Sequence, residues 1–563
     1  MKTNHTYGIL LTVFLSLTCI SCSFLDFDET SGLKTREDMY KYYNSTEQML
    51  TNIYSYMPKD LGAVSGAMRD CASDDAQFGN SGAAVRNFTN GAWSAVNTVD
   101  DAWNLYYGIR AANSFIDEVA KVDLSRYEHD AQYANWMKKL AYFPYEARVL
   151  RAHYFFELAR RYGDIAMPLT VLDKEGANTI AKTSFEDVVS FIVAECDECA
   201  ANLPVSYAEE PGAQIGRVTK GFAMAVKAKA LLYAASPLHN ETGDIERWKS
   251  SAKAALAIIE SGVYSLDPDG CVNEITSPEV VMVVIGGDSQ DFELKNFPIR
   301  FTEGKRTGAT ATFPSQNLVD AFETVNGHKV TLEDFGWVSD DPQFNPQRPY
   351  DNRDPRFART VLADGMPFKG SAIESFEGGA DHAEVTAGGS PTGYFLRKYI
   401  QESTSFVPDK TVTNKHHWIV YRYAEALLTY AESMLSAFGS ADYSDSEYPY
   451  TARWALNQVR ANAGMPEVTE TDSQDFMERL RNEWRVEFAF EDHRFWDVRR
   501  WKIGDQTQRE LIGVSIRKAE DGTLNYYRQV EEVRKWTDRM YLYPIPQAEL
   551  FKNQNLYPQN QGW

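Results

Sequence analysis

Residues 221–237 read GFAMAVKAKALLYAASP, and residues 248–264 read WKSSAKAALAIIESGVY. Each stretch spaces apolar residues at three and four, the period of a helix with one buried face. Alanines recur beside Leu231, Leu232 and Tyr233, and small side chains at that spacing let two helix axes approach closely. Pro237 stops the first helix before the second begins. The pair therefore reads as one helix–turn–helix unit of a solenoid, a unit that buries its faces by stacking on neighbours. A second pair follows at 422–439 (RYAEALLTYAESMLSAFG) and 451–464 (TARWALNQVRANAG).

Working outward, residues 35–57, 98–120, 138–162 and 183–202 carry the same periodicity, with Pro58, Gly163 and Pro204 as breakers. The pairs have the size of tetratricopeptide units but no strict repeat period, so the fold expected is mainly α, a degenerate tetratricopeptide-like helical scaffold. Between residues 265 and 415 the texture changes. Gly, Pro, Asp and Thr become frequent and only short β-like runs such as Val280 to Ile285 appear. A loop-rich insertion with short strands in a helical scaffold is where binding usually resides. Helical patterning resumes at His417 and runs to Lys502, and the tail 541–563 reads as strand or coil around one short helix. The chain is thus divided into residues 1–21, a helical region 22–264, a ligand-facing insertion 265–415 and a helical region with tail 416–563. Nothing marks two independently folding domains.

Residues 1–21 have the layout of a secretory signal: Lys2, a mostly apolar run from Tyr7 to Ile20, then Ser21 and Cys22 before an acidic stretch. The run is too short to span a bilayer. Cleavage before Cys22 and lipidation of its thiol are expected, although Cys19 stands where lipoprotein signals usually have Leu. Acyl chains there would anchor the protein to a membrane. The formal charge of -22 becomes -23 without residues 1–21, because Lys2 is the only charge before Cys22. That balance argues against nucleic acid or anionic lipid as the main partner. Of six cysteines, Cys71, Cys196, Cys199 and Cys271 remain after Cys19 and Cys22 are set aside, too few for a disulfide scaffold. Cys196 and Cys199 form C-x-x-C inside a helical run, with no second ligand pair at metal-binding spacing, so no metal or other cofactor is expected.

Chemistry is hard to find. No H-E-x-x-H, G-x-x-x-x-G-K-[ST] or G-x-S-x-G is present, and the adjacent His416 and His417 point to different faces of any helix. Asp74-Asp75, Asp100-Asp101 and Asp351 to Asp354 are pairs that an acidic chain makes by chance, and an enzyme is not expected. Binding candidates are better defined. The loop RNFTNGAWSAVNT (86–98) carries Arg86, Asn87, Trp93 and Asn97 ahead of a helix expected from Thr98, and the Gly and Ala neighbours of Trp93 suit a ring shown to a ligand. In the insertion, Phe292, Asn296, Phe297, Phe301, Arg306, Phe335 and Trp337 flank PSQNLVDAFE.

Four ordered segments resemble the SusD/RagB family of lipoproteins that accompany TonB-dependent outer-membrane importers. They are EARVLRAHYFFELARRYGDIAMPL (146–169, with Met167 inserted before Pro168), RYAEALLTYAES (422–433), ERLRNEWRVEFAFEDHRFWDVRRWK (478–502) and YPIPQAELFKNQNLYPQNQGW (543–563). AWNLYYGIRAANSFID, PSQNLVDAFE and NRDPRF support the match. The charged residues Glu478 to Asp497 read as intrahelical and inter-segment ion pairs, and Gly163 as a helix stop in the left-handed conformation. The resemblance implies a cell-surface lipoprotein of the outer membrane that captures a glycan and passes it to a SusC-like TonB-dependent transporter; a peptide-binding RagB-like role is the alternative. Starch-binding members imply an arc of aromatic residues, here Trp93 with Asn97 and Arg86, joined by Phe297, Phe301 and Trp337.

Overall fold

The computed structural model describes residues 36–207, 214–306, 308 and 311–563. Residues 1–21 and Cys22 lie outside the described residues. The main helices of the first half of the scaffold are α1 (Tyr43–Tyr54), α2 (Leu105–Val119), α3 (Phe143–Tyr162), α4 (Lys174–Thr179), α5 (Phe185–Asn202), α6 (Lys220–Ala235) and α7 (Ile245–Ile259). Five complete it after the insertion: α8 (Tyr423–Phe438), α9 (Ala452–Asn462), α10 (Ser473–Glu487), α11 (Arg494–Arg500) and α12 (Gln547–Lys552). Side-chain caps start several of these helices, as Ser184 accepts from the Asp187 amide at α5 and Asp472 from those of Gln474 and Asp475 at α10.

The quoted pair is helix α6 and helix α7, packed on each other as the alanines require; Ala223, Ala225, Ala228, Ala252 and Ala255 are fully buried. Gly221 opens α6 because Tyr264 crosses it: a Cβ there would lie 1.8 Å from the Tyr264 hydroxyl. Helix α7 packs next on α8, and α8 on α9, so the stack of pairs continues across the insertion. The mainly helical, tetratricopeptide-like architecture is therefore what the chain forms.

Helix α3 is buried on nearly every face, including Arg151, Glu157, Arg160 and Arg161. A helix enclosed this way must pair its charges. Arg161 binds Glu157 at 2.9 Å and Asp100 at 3.1 Å, while Arg160 reaches Asp492 at 3.1 Å. The helix ends at Gly163 with φ 70° and ψ -103°; the positive φ was expected, but ψ lies outside the left-handed helical region.

Three expectations are corrected. The helix placed at Thr98 begins at Leu105, because residues 98–104 form turns with positive φ at Asp100 and Ala102. Residues 35–57 hold a short helix, Arg36–Met39, and then α1 rather than one helix. Residues 418–422 form a strand, not the start of a helix, pairing antiparallel with Val280–Val284. The strands that position the site are β1 (Val280–Val284), β2 (Val330–Glu333), β3 (Gly336–Ser339), β4 (Trp418–Arg422), β5 (Glu510–Lys518) and β6 (Leu524–Val533). One core runs from Tyr40 to Leu556, and the insertion adds a small second one around Phe297, Phe313, Phe368 and Phe395.

Candidate functional site

Two antiparallel hairpins, β2–β3 and β5–β6, stand side by side on the molecule. In β2 burial alternates, with Val330 and Leu332 inward and Thr331 and Glu333 outward, so the two-residue turn Asp334-Phe335 projects from the core. Phe335 is 93% exposed at the tip. The second hairpin turns at Gly522, whose φ of 87° suits glycine, and seats Tyr526 on the buried face against Trp337 and Tyr350, each with centroids 6.2 Å away. Tyr527, next along the strand, is half-buried under the Arg517 guanidinium at 5.0 Å.

Between the hairpins lies an open cleft of about 840 Å³, with Glu333, Phe335, Gln347, Asn525, Tyr527 and Arg528 among its lining. Its floor includes the outer edge of β6. Val514 donates to the Thr392 carbonyl and Ile516 accepts from the Glu377 amide, so these two residues turn their main-chain groups away from β6. Their partners in register, Arg528 and Tyr526, must then turn theirs outward. Among the described residues those groups have no protein partner, leaving main-chain donors and acceptors beside an aromatic ring and two amide side chains.

The register of β5–β6 skips one residue: Leu511 pairs with Glu532 and Ile512 with Val530, so Glu531 bulges. One Glu531 carboxylate oxygen is buried without a partner, and burial pushes the group up to about 7. At the far end of β6, Arg86 pairs with Glu532 at 3.3 Å and the Lys535 amide donates to the Thr89 carbonyl at 2.8 Å. The loop 86–98 is thus fastened to one end of a strand whose other end forms the cleft, ten residues or about 30 Å away.

The six residues expected to form one arc do not meet. Trp93 is 1% exposed, its indole held edge-to-face by Phe88, Tyr543 and Trp563 with centroids at 4.6 to 4.8 Å. The expectation that its ring faces a ligand is corrected: the C-terminal tail folds back over it. Asn97 is exposed on the same loop and donates to the Ala92 carbonyl, whereas Arg86 is spent on Glu532 and the Phe78 carbonyl. Phe297 is fully buried in the small second core, stacked edge-on with Phe368, and Phe301 is half-buried against the same ring. Trp337 is buried, but it forms part of the cleft wall. Arg306, Asn296 and Phe292 are buried too.

The acidic pairs are structural. Asp74 and Asp75 bind Arg485, Asp74 also binds Arg494, and Asp100 binds Arg69 and Arg161. Cys71, Cys196, Cys199 and Cys271 are buried thiols, and burial raises the pKa of each. Among the described residues no cluster of His, Cys, Asp or Glu could hold a metal, and no helix is long and apolar enough to cross a membrane. Missing from the residues singled out in the sequence are Asn525, Tyr527 and Arg528. Their signal was present: alternating runs either side of Asp521-Gly522 mark a hairpin.

The architecture is a helical-repeat scaffold carrying a strand-and-loop face with an open, aromatic-rimmed cleft. The SusD family model matches residues 278–563, half of the chain, and this chain belongs to the SusD family. It is 24% identical to "SusD-like protein P2" of Formosa agariphila over 575 aligned residues, covering 99% of each chain. A crystal structure of a SusD-like protein from Bacteroides fragilis shares 26% identity and a TM-score of 0.75, covering 94% of this chain and 99% of that one. A second from the same species, described as a SusD-like carbohydrate binding protein, gives 23% identity and a TM-score of 0.70 over 92% and 100%.

Proposed function

We propose that the chain is a cell-surface lipoprotein of the outer membrane that captures an oligo- or polysaccharide in the cleft between hairpins β2–β3 and β5–β6 and delivers it to a partner TonB-dependent transporter. The observation that carries the reading is the exposed Phe335 ring, projecting over a cleft lined with Asn525, Gln347 and the phenol of Tyr527. A large apolar ring at a surface beside amide donors matches a pyranose, whose faces carry C–H groups and whose rim carries directional hydroxyls. Glu333 and Asp334 at the rim, on a chain of net charge -22, favour a neutral glycan over a uronic or sulfated one. Family membership supports the reading, as does the carbohydrate-binding B. fragilis relative. Release to a transporter calls for modest affinity, and a micromolar-to-millimolar Kd corresponds to about -8 to -4 kcal/mol. Lipidated Cys22 would hold the protein on the membrane.

One observation favours a second reading. The free main-chain groups of Tyr526 and Arg528 are a short strand edge of the kind that pairs with an extended peptide, as in a RagB-like peptide-binding role. The exposed ring and the amide lining have no part in such pairing, which places the glycan first. Titrating neutral oligosaccharides and oligopeptides of equal length into the protein separates the two. Saturable binding of an oligosaccharide, weakened by Phe335→Ala, supports capture of glycan. Binding confined to peptides transfers the cleft to the second reading.

A further inference from the structure

Helices α2 and α12 enclose a second cavity of about 250 Å³, closed on its other sides by residues 166–172 and by α4. Its lining includes Trp103, Tyr106, Tyr107, Ile180, Asn178 and Asn553. Three aromatic residues meet here because positions 103, 106 and 107 are three and four apart at the entry to α2, which brings them to one side. Trp103 and Tyr106 form the floor: Trp103 packs edge-on against Tyr162 at 5.5 Å, and the Tyr106 hydroxyl donates to the Ala166 carbonyl at 3.1 Å. Tyr107 differs from both. Its ring is 67% exposed at the mouth, and Phe551, on the last turn of α12, is 75% exposed.

The walls are fixed in advance. Asn113 donates to the carbonyls of Pro168 and Thr170, Arg110 to that of Leu172, and Asn553 to those of Ala177 and Ile180. Carbonyls that already accept from side chains offer no edge for a peptide strand, in contrast to the outer edge of β6. What stays free is the Asn178 amide and the Trp103 indole N–H, neither of which has a hydrogen-bond partner among the described residues. Lys552 pairs with Glu549 at 2.8 Å, and the remaining charge in the lining, Arg110, is engaged with the Leu172 carbonyl. At about 30 Å³ per liquid water the cavity has the volume of about eight waters, room for one six-membered sugar ring.

We propose that this cavity is a second glycan contact, separate from the hairpin cleft, in which one neutral pyranose lies against Tyr107 and Trp103 and its hydroxyls meet Asn178 and the Trp103 indole N–H. The inference rests on the reading of the protein as a glycan binder and adds a site on the helical face. A polysaccharide held at two separated contacts dissociates more slowly than one held at either, because the second contact forms at a high effective concentration.

Saturation-transfer NMR on the whole chain with maltohexaose, cellohexaose, laminarihexaose and mannohexaose tests it. Phe335→Ala is expected to keep measurable binding of one of the four. Adding Tyr107→Ala and Asn178→Ala to that variant is expected to weaken the remaining binding about tenfold. These residues lie at the surface, and unchanged thermal melts exclude unfolding as the cause. A Phe335→Ala protein that binds none of the four overturns the second contact and leaves the cleft intact, as does residual binding that the added pair leaves unaltered. Parent-like affinity in Phe335→Ala, lost with Tyr107→Ala and Asn178→Ala, keeps this contact and removes the cleft. A parent protein that binds none of the four overturns both.

Discussion

Trp93 and Phe335 are both large rings in turns, and only their distant surroundings separate them. Glycine and alanine beside Trp93 mark a loop correctly, but Tyr543 and Trp563 reach its ring from the end of the chain, contacts that no local pattern encodes. Phe335 stands at the end of an alternating strand with nothing beyond it. Trp93→Ala is therefore expected to cost about 3–5 kcal/mol in chemical denaturation, the price of emptying a core site. Loss of under about 1 kcal/mol would place the indole outside the core. Glu531 gives a prediction with a sign. Its carboxyl is raised from 4.5 to about 7 by burial, so the protonated form is the one the fold favours. The stability it supports is whole below about pH 4.5 and is lost as pH rises through about 7. Glu531→Gln should leave the melting temperature unchanged below pH 4.5 and raise it relative to the parent at pH 8. Parallel melting curves across that range would contradict the assignment.

Among the elements, the helices were legible because apolar period and cap residues agree, as in α6 with its Thr219 cap and α10 with Asp472. Strand β4 is not legible locally, because Trp418 to Arg422 lead without a break into a strongly helical run and only pairing with β1 makes them extended. The hairpin β5–β6 carries a weaker sequence signal than the motifs on either side of it. The Glu- and Arg-rich segment 478–502 is scaffold, and its charges bind across segments. Arg422 joins Glu279, Glu487 and Glu491, while Arg356 joins Glu483 and Glu487. Burial alone would raise Glu487, yet Arg422 and Arg356 outweigh it and hold the carboxyl down at about 2. Arg422→Ala, which leaves buried Glu279 without a cation and removes one of the two that hold each of Glu487 and Glu491, is expected to destabilise the fold by about 3–5 kcal/mol at neutral pH. The gap to the parent should narrow on acidification from about pH 4.5 toward 2, as the carboxylates protonate. A gap that stays constant to pH 2 would mean that packing, not charge pairing, accounts for the loss.

At the scale of the whole molecule, four ordered motifs and the stacked helix pairs made the family legible from sequence, because those segments form the shared buried frame. The site was less legible, because its residues come from strand edges and turns whose neighbours are set by that frame. Cys22→Ala is expected to move the protein from the membrane fraction to the soluble one, and unchanged fractionation would remove the lipid anchor from the account. The central claim is that the cleft under Phe335 holds a neutral glycan. Calorimetric titration of Phe335→Ala, beside the parent and with the best-binding oligosaccharide, tests it most directly. The account predicts binding weakened about tenfold or more at an unchanged melting temperature. Parent-like affinity in a folded Phe335→Ala protein would contradict it.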